Sequence, residues 1–210
     1  MKPFTRHSGI AAALLIDNID TDQIIPSREM KRVSKLGLGQ GLFAGWRYRY
    51  DGGKRVGDNA DFVLNDPAFR DTTILLGGAN FGCGSSREHA VWALADFGIR
   101  AVIASSFGRI FRNNCARNGL LAVELSSEHI ERIAALGAET LTIDLKNCRI
   151  TLSDGTTIGF DVPPADRDML IQGLDYIDFA LRYADDIDAF IGRNRRSRPW
   201  AYLEDADGPS

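Results

Sequence analysis

Between Thr72 and Leu136, short β-branched and apolar runs alternate with amphipathic stretches of helical period, and the handovers are marked by Gly, Asn or Ser. Thr72–Leu76 reads as a buried strand, Ser86–Phe97 as a helix ended by Gly98, and Arg100–Ala104 as a second strand. Phe107–Arg117 reads as a helix stopped by Asn118-Gly119, Leu120–Leu125 as a strand, and Glu128–Leu136 as a helix capped by Ser126 or Ser127. Strands joined through helices pair in parallel, so the alternation predicts an α/β fold on a parallel sheet. After residue 136 the pattern changes. Thr140–Leu145 and Cys148–Leu152 predict a hairpin, Asp154-Gly155 turns into Thr156–Phe160, and Asp166–Tyr183 predicts a helix broken at Gly173. Ahead of the alternation, Gly9–Ile16 predicts a first strand. Residues 27–60, rich in Gly and Arg, predict a long loop or lid-like segment with short helical pieces.

The 210 residues suffice for one core with a small appendage, which we expect as a domain over 1–192 and a polar tail over 193–210. Arg193, Arg195, Arg196 and Arg198 in that tail, with Trp200 and Tyr202, read as a solvated strip or one that packs on a partner. A net charge of −3 argues against a nucleic-acid binder. No run reaches the ~20 apolar residues of a membrane span. Asp17 closes the first apolar run with no cleavage site after it, so a cytoplasmic protein is expected. Cys83, Cys115 and Cys148 form no C-x-x-C pair, and His7, His89 and His129 are scattered. That spacing argues against a disulfide framework, a zinc site or an iron–sulfur cluster held by this chain alone.

The turn after the predicted strand 72–76 reads Asn80-Phe-Gly-Cys-Gly-Ser-Ser-Arg-Glu-His89. A Gly-rich strand-to-helix turn presents backbone N–H groups to an anion, and Arg87 favours a carboxylate or phosphate. Ser85 and Ser86 add two hydroxyls for proton transfer or nucleophilic chemistry. The competing reading is a capping box, Ser85-x-x-Glu88. It leaves Gly82, Gly84 and the second serine unexplained, and it places a cation against the helix dipole. No lysine makes this a P-loop, Arg87 breaks G-x-G-x-x-G, and Gly84-Ser85-Ser86 lacks the second Gly of a hydrolase elbow. His89 reads as a helix residue satisfied by a neighbouring carbonyl. Both an enzyme and a non-catalytic anion-binding or assembly module could use such a turn.

Gly78-Ala-Asn-Phe-Gly-Cys-Gly-Ser-Ser-Arg-Glu-His89 resembles the signature of the 3-isopropylmalate dehydratase small-subunit family, within the aconitase superfamily. Asp20-Thr-Asp-Gln-Ile-Ile-Pro26 and Asp61-Phe-Val-Leu-Asn65 resemble two earlier motifs of that family. Trp92-Ala-Leu94, Phe97-Gly98, Ala101–Ala104, Ser106-Phe107, Ile110-Phe111, Asn113-Asn-Cys115 and Asn118–Leu121 extend the likeness, which spans residue 3 to about 192. The resemblance implies a swivelling β/β/α domain like the mobile last domain of aconitase. It implies a separate large subunit that holds a four-iron–four-sulfur cluster, and a small 2-alkylmalate substrate. Ser85 would be the base, Arg87 the clamp on a substrate carboxylate, and Gly84 and Ser86 substrate contacts. Arg28 and Met30 fall in the segment that reads the substrate side chain, with Val33, Leu36 and Leu38 the apolar residues nearby. Glu29 is expected to face solvent or pair with Arg28 or Arg32. Three positions depart from the pattern: Val91 replaces a usual Pro, Gly108-Arg109 replaces an Ala-Asp-like pair, and Glu29-Met30 replaces an aromatic–Leu pair. The last departure keeps open a related hydro-lyase acting on 2-methylmalate or dimethylmaleate.

Overall fold

The computed structural model describes residues 1–30 and 34–202, in two compact units, Met1–Gly173 and Leu174 onward. The strands are β1 (Arg6–Leu14), β2 (Tyr48–Asp51), β3 (Lys54–Asp58), β4 (Thr72–Gly77), β5 (Ala101–Ala104), β6 (Leu121–Glu124), β7 (Thr140–Asp144), β8 (Arg149–Thr151) and β9 (Thr157–Gly159). The helices of the first unit are α1 (Thr21–Ile24), α2 (Ala44–Arg47), α3 (Glu88–Phe97), α4 (Arg109–Arg117), α5 (Ser127–Ala134) and α6 (Pro164–Gln172).

Seven strands form one sheet in the order β6-β5-β4-β1-β7-β8-β9. β1, β4, β5 and β6 run parallel, joined through α3 and α4 as the alternation requires. β7, β8 and β9 follow as an antiparallel meander on the other side of β1. β1 is the seam: Ala12 sits opposite Leu75 of β4, and His7 opposite Ile143 of β7.

Both faces of the parallel half are covered, which is why its strands read as continuous apolar runs rather than alternating ones. Leu75 and Val102 point into a core with Val91 and Leu94 of α3, Phe111 of α4, and Phe81. Ile74, Leu76, Ile103 and Val123 point into a second core with Ile130 and Ile133 of α5, Leu170 of α6, and Ile143 and Ile150 of the meander.

The described residues of 27–30 and 34–60 contain the expected short helical pieces, at Ser27–Glu29, Leu38–Gly41 and Ala44–Arg47, and more besides. Leu38, Leu42 and Phe43 are buried in the first core, Ala44 is buried as well, and β2 and β3 make a separate hairpin. Gly52 and Gly53 turn it at φ of 52° and 80°, where Gly-Gly costs nothing sterically. Its short pieces, interrupted by single turns, leave no period long enough to read. Arg32 and Val33 lie outside the described residues.

In the second unit, Asp175 caps α7 (Tyr176–Leu181) through a reciprocal pairing with Asp178. α8 (Ala184–Ser197) begins with Asp185 and Asp186 and ends with Arg195 and Arg196, matching the helix dipole at both ends. The 192/193 boundary expected from composition falls inside α8. Among the described residues no helix is long and apolar enough to cross a membrane.

His7 on β1 shares a 2.7 Å hydrogen bond with Thr73 on β4. Burial, then Arg100, then Lys2 hold its pKa below the ordinary value. The unfolded chain therefore takes up this proton first, and stability falls as pH drops below about 6.5 toward the folded pKa. The expected result is a loss of melting temperature between pH 7.5 and 5 that is shallower in His7→Gln. Parallel curves for the two proteins would contradict this assignment.

Candidate active site

β1 and β4 lie side by side in parallel, so their chains leave the sheet together at the carboxyl end. The two exits are stitched. Asp17 Oδ1 accepts from Ala79 N at 2.6 Å, and Asn80 Nδ2 donates to Asn18 Oδ1 at 2.8 Å. Gly82 N donates to Ile19 O at 2.7 Å and Thr21 N to Cys83 O at 2.9 Å. From the β5 side, Ser106 Oγ and Ser106 O accept from Asn80 N and Phe81 N, and Gly108 N donates to Phe81 O at 2.9 Å. Phe81 anchors the turn from below, fully buried and edge-on to Phe111 at 5.5 Å between centroids.

Two glycines let the chain double back. Gly82 has φ of +73°, and a Cβ there would lie 2.2 Å from the Phe111 ring. Gly84 has φ of +91°, and a Cβ there would meet Asp20 and Thr21 at an ordinary contact distance of 3.5 Å. The turn then presents Gly84, Ser85 and Ser86 to solvent. Its backbone is held while its tip is free: Ser85 O accepts from Arg87 N at 2.7 Å and from Thr21 Oγ1 at 3.2 Å. Among the described residues no hydrogen bond occupies either serine hydroxyl.

The capping box is not formed. α3 starts at Glu88, with Arg87 at the N-cap and no side chain capping it. Glu88 is engaged elsewhere: its Oε1 accepts from Asn118 Nδ2 at 2.8 Å, and Asn118 Oδ1 takes the Trp92 indole at 2.9 Å. His89 lies against the Trp92 ring at 4.8 Å between centroids, where a carbonyl partner was expected.

Arg87 turns toward α1. Its Nη1 pairs with Asp22 Oδ1 and donates to Ser27 Oγ at 3.2 Å, while Ser27 Oγ donates to Asp22 Oδ1 at 3.1 Å. Gly84, Ser85, Ser86 and Arg87 therefore share one turn, and Asp22 and Ser27 join them from a distance the sequence reading did not bridge. Arg28 is next to this group in sequence but is held by Glu29 at 3.2 Å, the pairing expected for Glu29, and lies over the Tyr50 ring at 4.5 Å. Met30 is half-buried and packs on the first core.

The cysteines do not fit a cluster. Cys83 is in the turn, Cys115 is buried on α4, and Cys148 lies between β7 and β8. Burial pushes the Cys115 thiol well up, away from the thiolate that iron needs. Among the described residues no three His, Cys, Asp or Glu side chains come together as a metal site.

The aconitase C-terminal domain family matches residues 1–128, which hold the four parallel strands and the serine turn. The small subunit of 3-isopropylmalate dehydratase from Cupriavidus necator is 52% identical over 209 residues, covering 97% of this chain and 100% of the relative. That from Rhizobium etli is 49% identical over 205 residues, covering 96% and 100%. The solved 3-isopropylmalate dehydratase structure from Methanocaldococcus jannaschii superposes with a TM-score of 0.66 at 27% identity, covering 88% of this chain and 98% of its own. The chain belongs to the family of 3-isopropylmalate dehydratase small subunits, hydro-lyases of the aconitase superfamily with the swivel-type fold. Enzymes of that superfamily generally use an iron–sulfur cluster.

Gly82→Ala combines a left-handed backbone with a clash into a packed ring, so it should cost about 2–4 kcal/mol in denaturant unfolding. Ser85→Ala should move stability by no more than about 0.5 kcal/mol, because Ser85 caps nothing. A loss near 1 kcal/mol or more on Ser85→Ala, the size expected of a lost N-cap, would restore the capping reading.

Proposed function

We infer that this chain is the small subunit of a working 3-isopropylmalate dehydratase. With a separate large subunit it would convert 2-isopropylmalate through 2-isopropylmaleate to 3-isopropylmalate, by loss and return of water, in leucine biosynthesis. The observation that carries the reading is the exposed Ser85-Ser86 tip, with half-buried Arg87 beside it, on a backbone fixed from three sides, in a chain 52% identical to a full-length relative of that name.

Dehydration of a hydroxy acid removes a proton from carbon beside a carboxylate. The charge that develops there needs donors already in place. We assign that charge to Arg87 and to the turn around Gly84 and Ser86, with Arg87 gripping the carboxylate through parallel N–H bonds. Ser85 is assigned as the base. A serine alkoxide is unfavourable in water, and a guanidinium and N–H groups brought against it would favour the charged form. Arg28 and Met30, on the turn after α1, are assigned to the side-chain end of the substrate. An iron–sulfur cluster would supply a Lewis acid for the departing hydroxyl, and we assign it to the large subunit because the donor set of the described residues does not fit it. The site of action is the cytoplasm, with neither nucleic acid nor membrane as partner.

The departure at Glu29-Met30 supports a second reading, a hydro-lyase for 2-methylmalate or dimethylmaleate. A hydrophobic pocket separates substrates by about 1–3 kcal/mol per methylene, so the two readings differ measurably. In the reconstituted enzyme, 2-isopropylmalate should give a kcat/KM at least about tenfold above that of 2-methylmalate. Ser85→Ala should lower kcat by about 10²–10⁴ or more. Arg87→Lys keeps the charge but loses the fork, and should raise KM by about 10–100-fold. A reversed substrate order would select the second reading. Full activity in Ser85→Ala would remove Ser85 as the base, and absence of turnover on every 2-alkylmalate would favour a non-catalytic assembly module.

A further inference from the structure

Arg87 stands at the N-cap of α3, where the helix dipole repels a cation. Something must hold it there, and the structure supplies Asp22 and Ser27, both on Nη1. An exposed ion pair contributes little to stability, and this one is 28% exposed at Arg87 and 52% at Asp22. Its consequence is geometric. Both partners lie on Nη1 and are hydrogen-bonded to each other. Among the described residues no acceptor takes Nη2 or Nε, so the edge of the guanidinium that matches a carboxylate in parallel is left facing away from Asp22.

Asp22 is itself well fixed. Asp20 and Gln23 cap α1 reciprocally, with Gln23 N to Asp20 Oδ1 at 2.7 Å and Asp20 N to Gln23 Oε1 at 2.8 Å. Thr21, between them, is bonded to the active turn twice, through its N–H to Cys83 O and its hydroxyl to Ser85 O. Ser27 ties the carboxylate to the next turn of chain. The chain from Asp20 to Ser27 is thus a bracket that grips the serine turn by its backbone and the arginine by its side chain.

We propose that Asp22, assisted by Ser27, is a positioning residue for Arg87: it anchors one edge of the guanidinium so that the other is presented to a substrate carboxylate. This rests on the assignment of Arg87 as the carboxylate clamp. An interaction that acts wholly through Arg87 disappears when the fork does, which gives it a signature that a structural role lacks.

The test is a double-mutant cycle in the reconstituted two-subunit enzyme, with kcat and KM for 2-isopropylmalate measured separately. Asp22→Asn should raise KM about tenfold, with melting temperature and large-subunit binding unchanged. Ser27→Ala should raise it two- to threefold, by loss of one neutral hydrogen bond, and it carries the test if Asp22→Asn fails to assemble. In the Arg87→Lys background both substitutions should be silent. A KM for Asp22→Asn that is unchanged or lower would overturn the proposal, the lower value showing that Asp22 competes with substrate. An effect as large in Arg87→Lys as in wild type would overturn it too. If Arg87→Lys alone leaves KM unchanged, the clamp assignment itself fails, and this inference with it.

Discussion

The parallel pairing of β1 with β4 is the constraint on which the site depends. Two parallel neighbours release their chains at the same end of the sheet, a few ångströms apart. Here the two exits are hydrogen-bonded across Asp17, Asn18 and Ile19 on one side and Ala79, Asn80 and Gly82 on the other. A loop on its own would have to order its backbone against entropy each time an anion arrived. This one is ordered already by the sheet below it, by the β1 exit beside it and by Ser106 from the β5 exit.

Rigid backbone and free side chains are the combination that electrostatic catalysis asks for. Phe81, buried against Phe111, keeps the turn from lifting, and Gly82 exists because that ring leaves no room for a Cβ. Above them Ser85 and Ser86 are exposed. A surface serine pair and an arginine make an incomplete site for removing water from a hydroxy acid: among the described residues no group of His, Cys, Asp and Glu side chains gathers beside them as a metal site. The incompleteness fits a protein whose relatives are named small subunits.

Much of this was readable from sequence where the determinants are local. From β4 to α5 each strand and helix lies within about two residues of its periodicity, because burial on both faces makes every strand an apolar run and Gly98 and Asn118-Gly119 end the helices where they stand. The serine turn was legible for the same reason. What was missed is non-local. No local pattern says that β1 pairs with β4 on one side and β7 on the other, and Asp22 and Ser27 reach Arg87 across 65 and 60 residues. The competing capping box is absent because α3 begins at Glu88 with Arg87 at the N-cap, and Asn118, thirty residues away, takes the Glu88 carboxylate. The β2–β3 hairpin had a signal in Gly52-Gly53, obscured by the Gly and Arg around it.

The central claim is that this chain contributes the base and carboxylate clamp to a two-subunit dehydratase. Its most direct test is turnover of 2-isopropylmalate by this chain and the large subunit, purified apart, with iron and sulfide supplied anaerobically. The account predicts no formation of 2-isopropylmaleate by either chain alone and turnover that saturates as one is titrated into the other. Turnover by the large subunit alone at the rate of the mixture would contradict it.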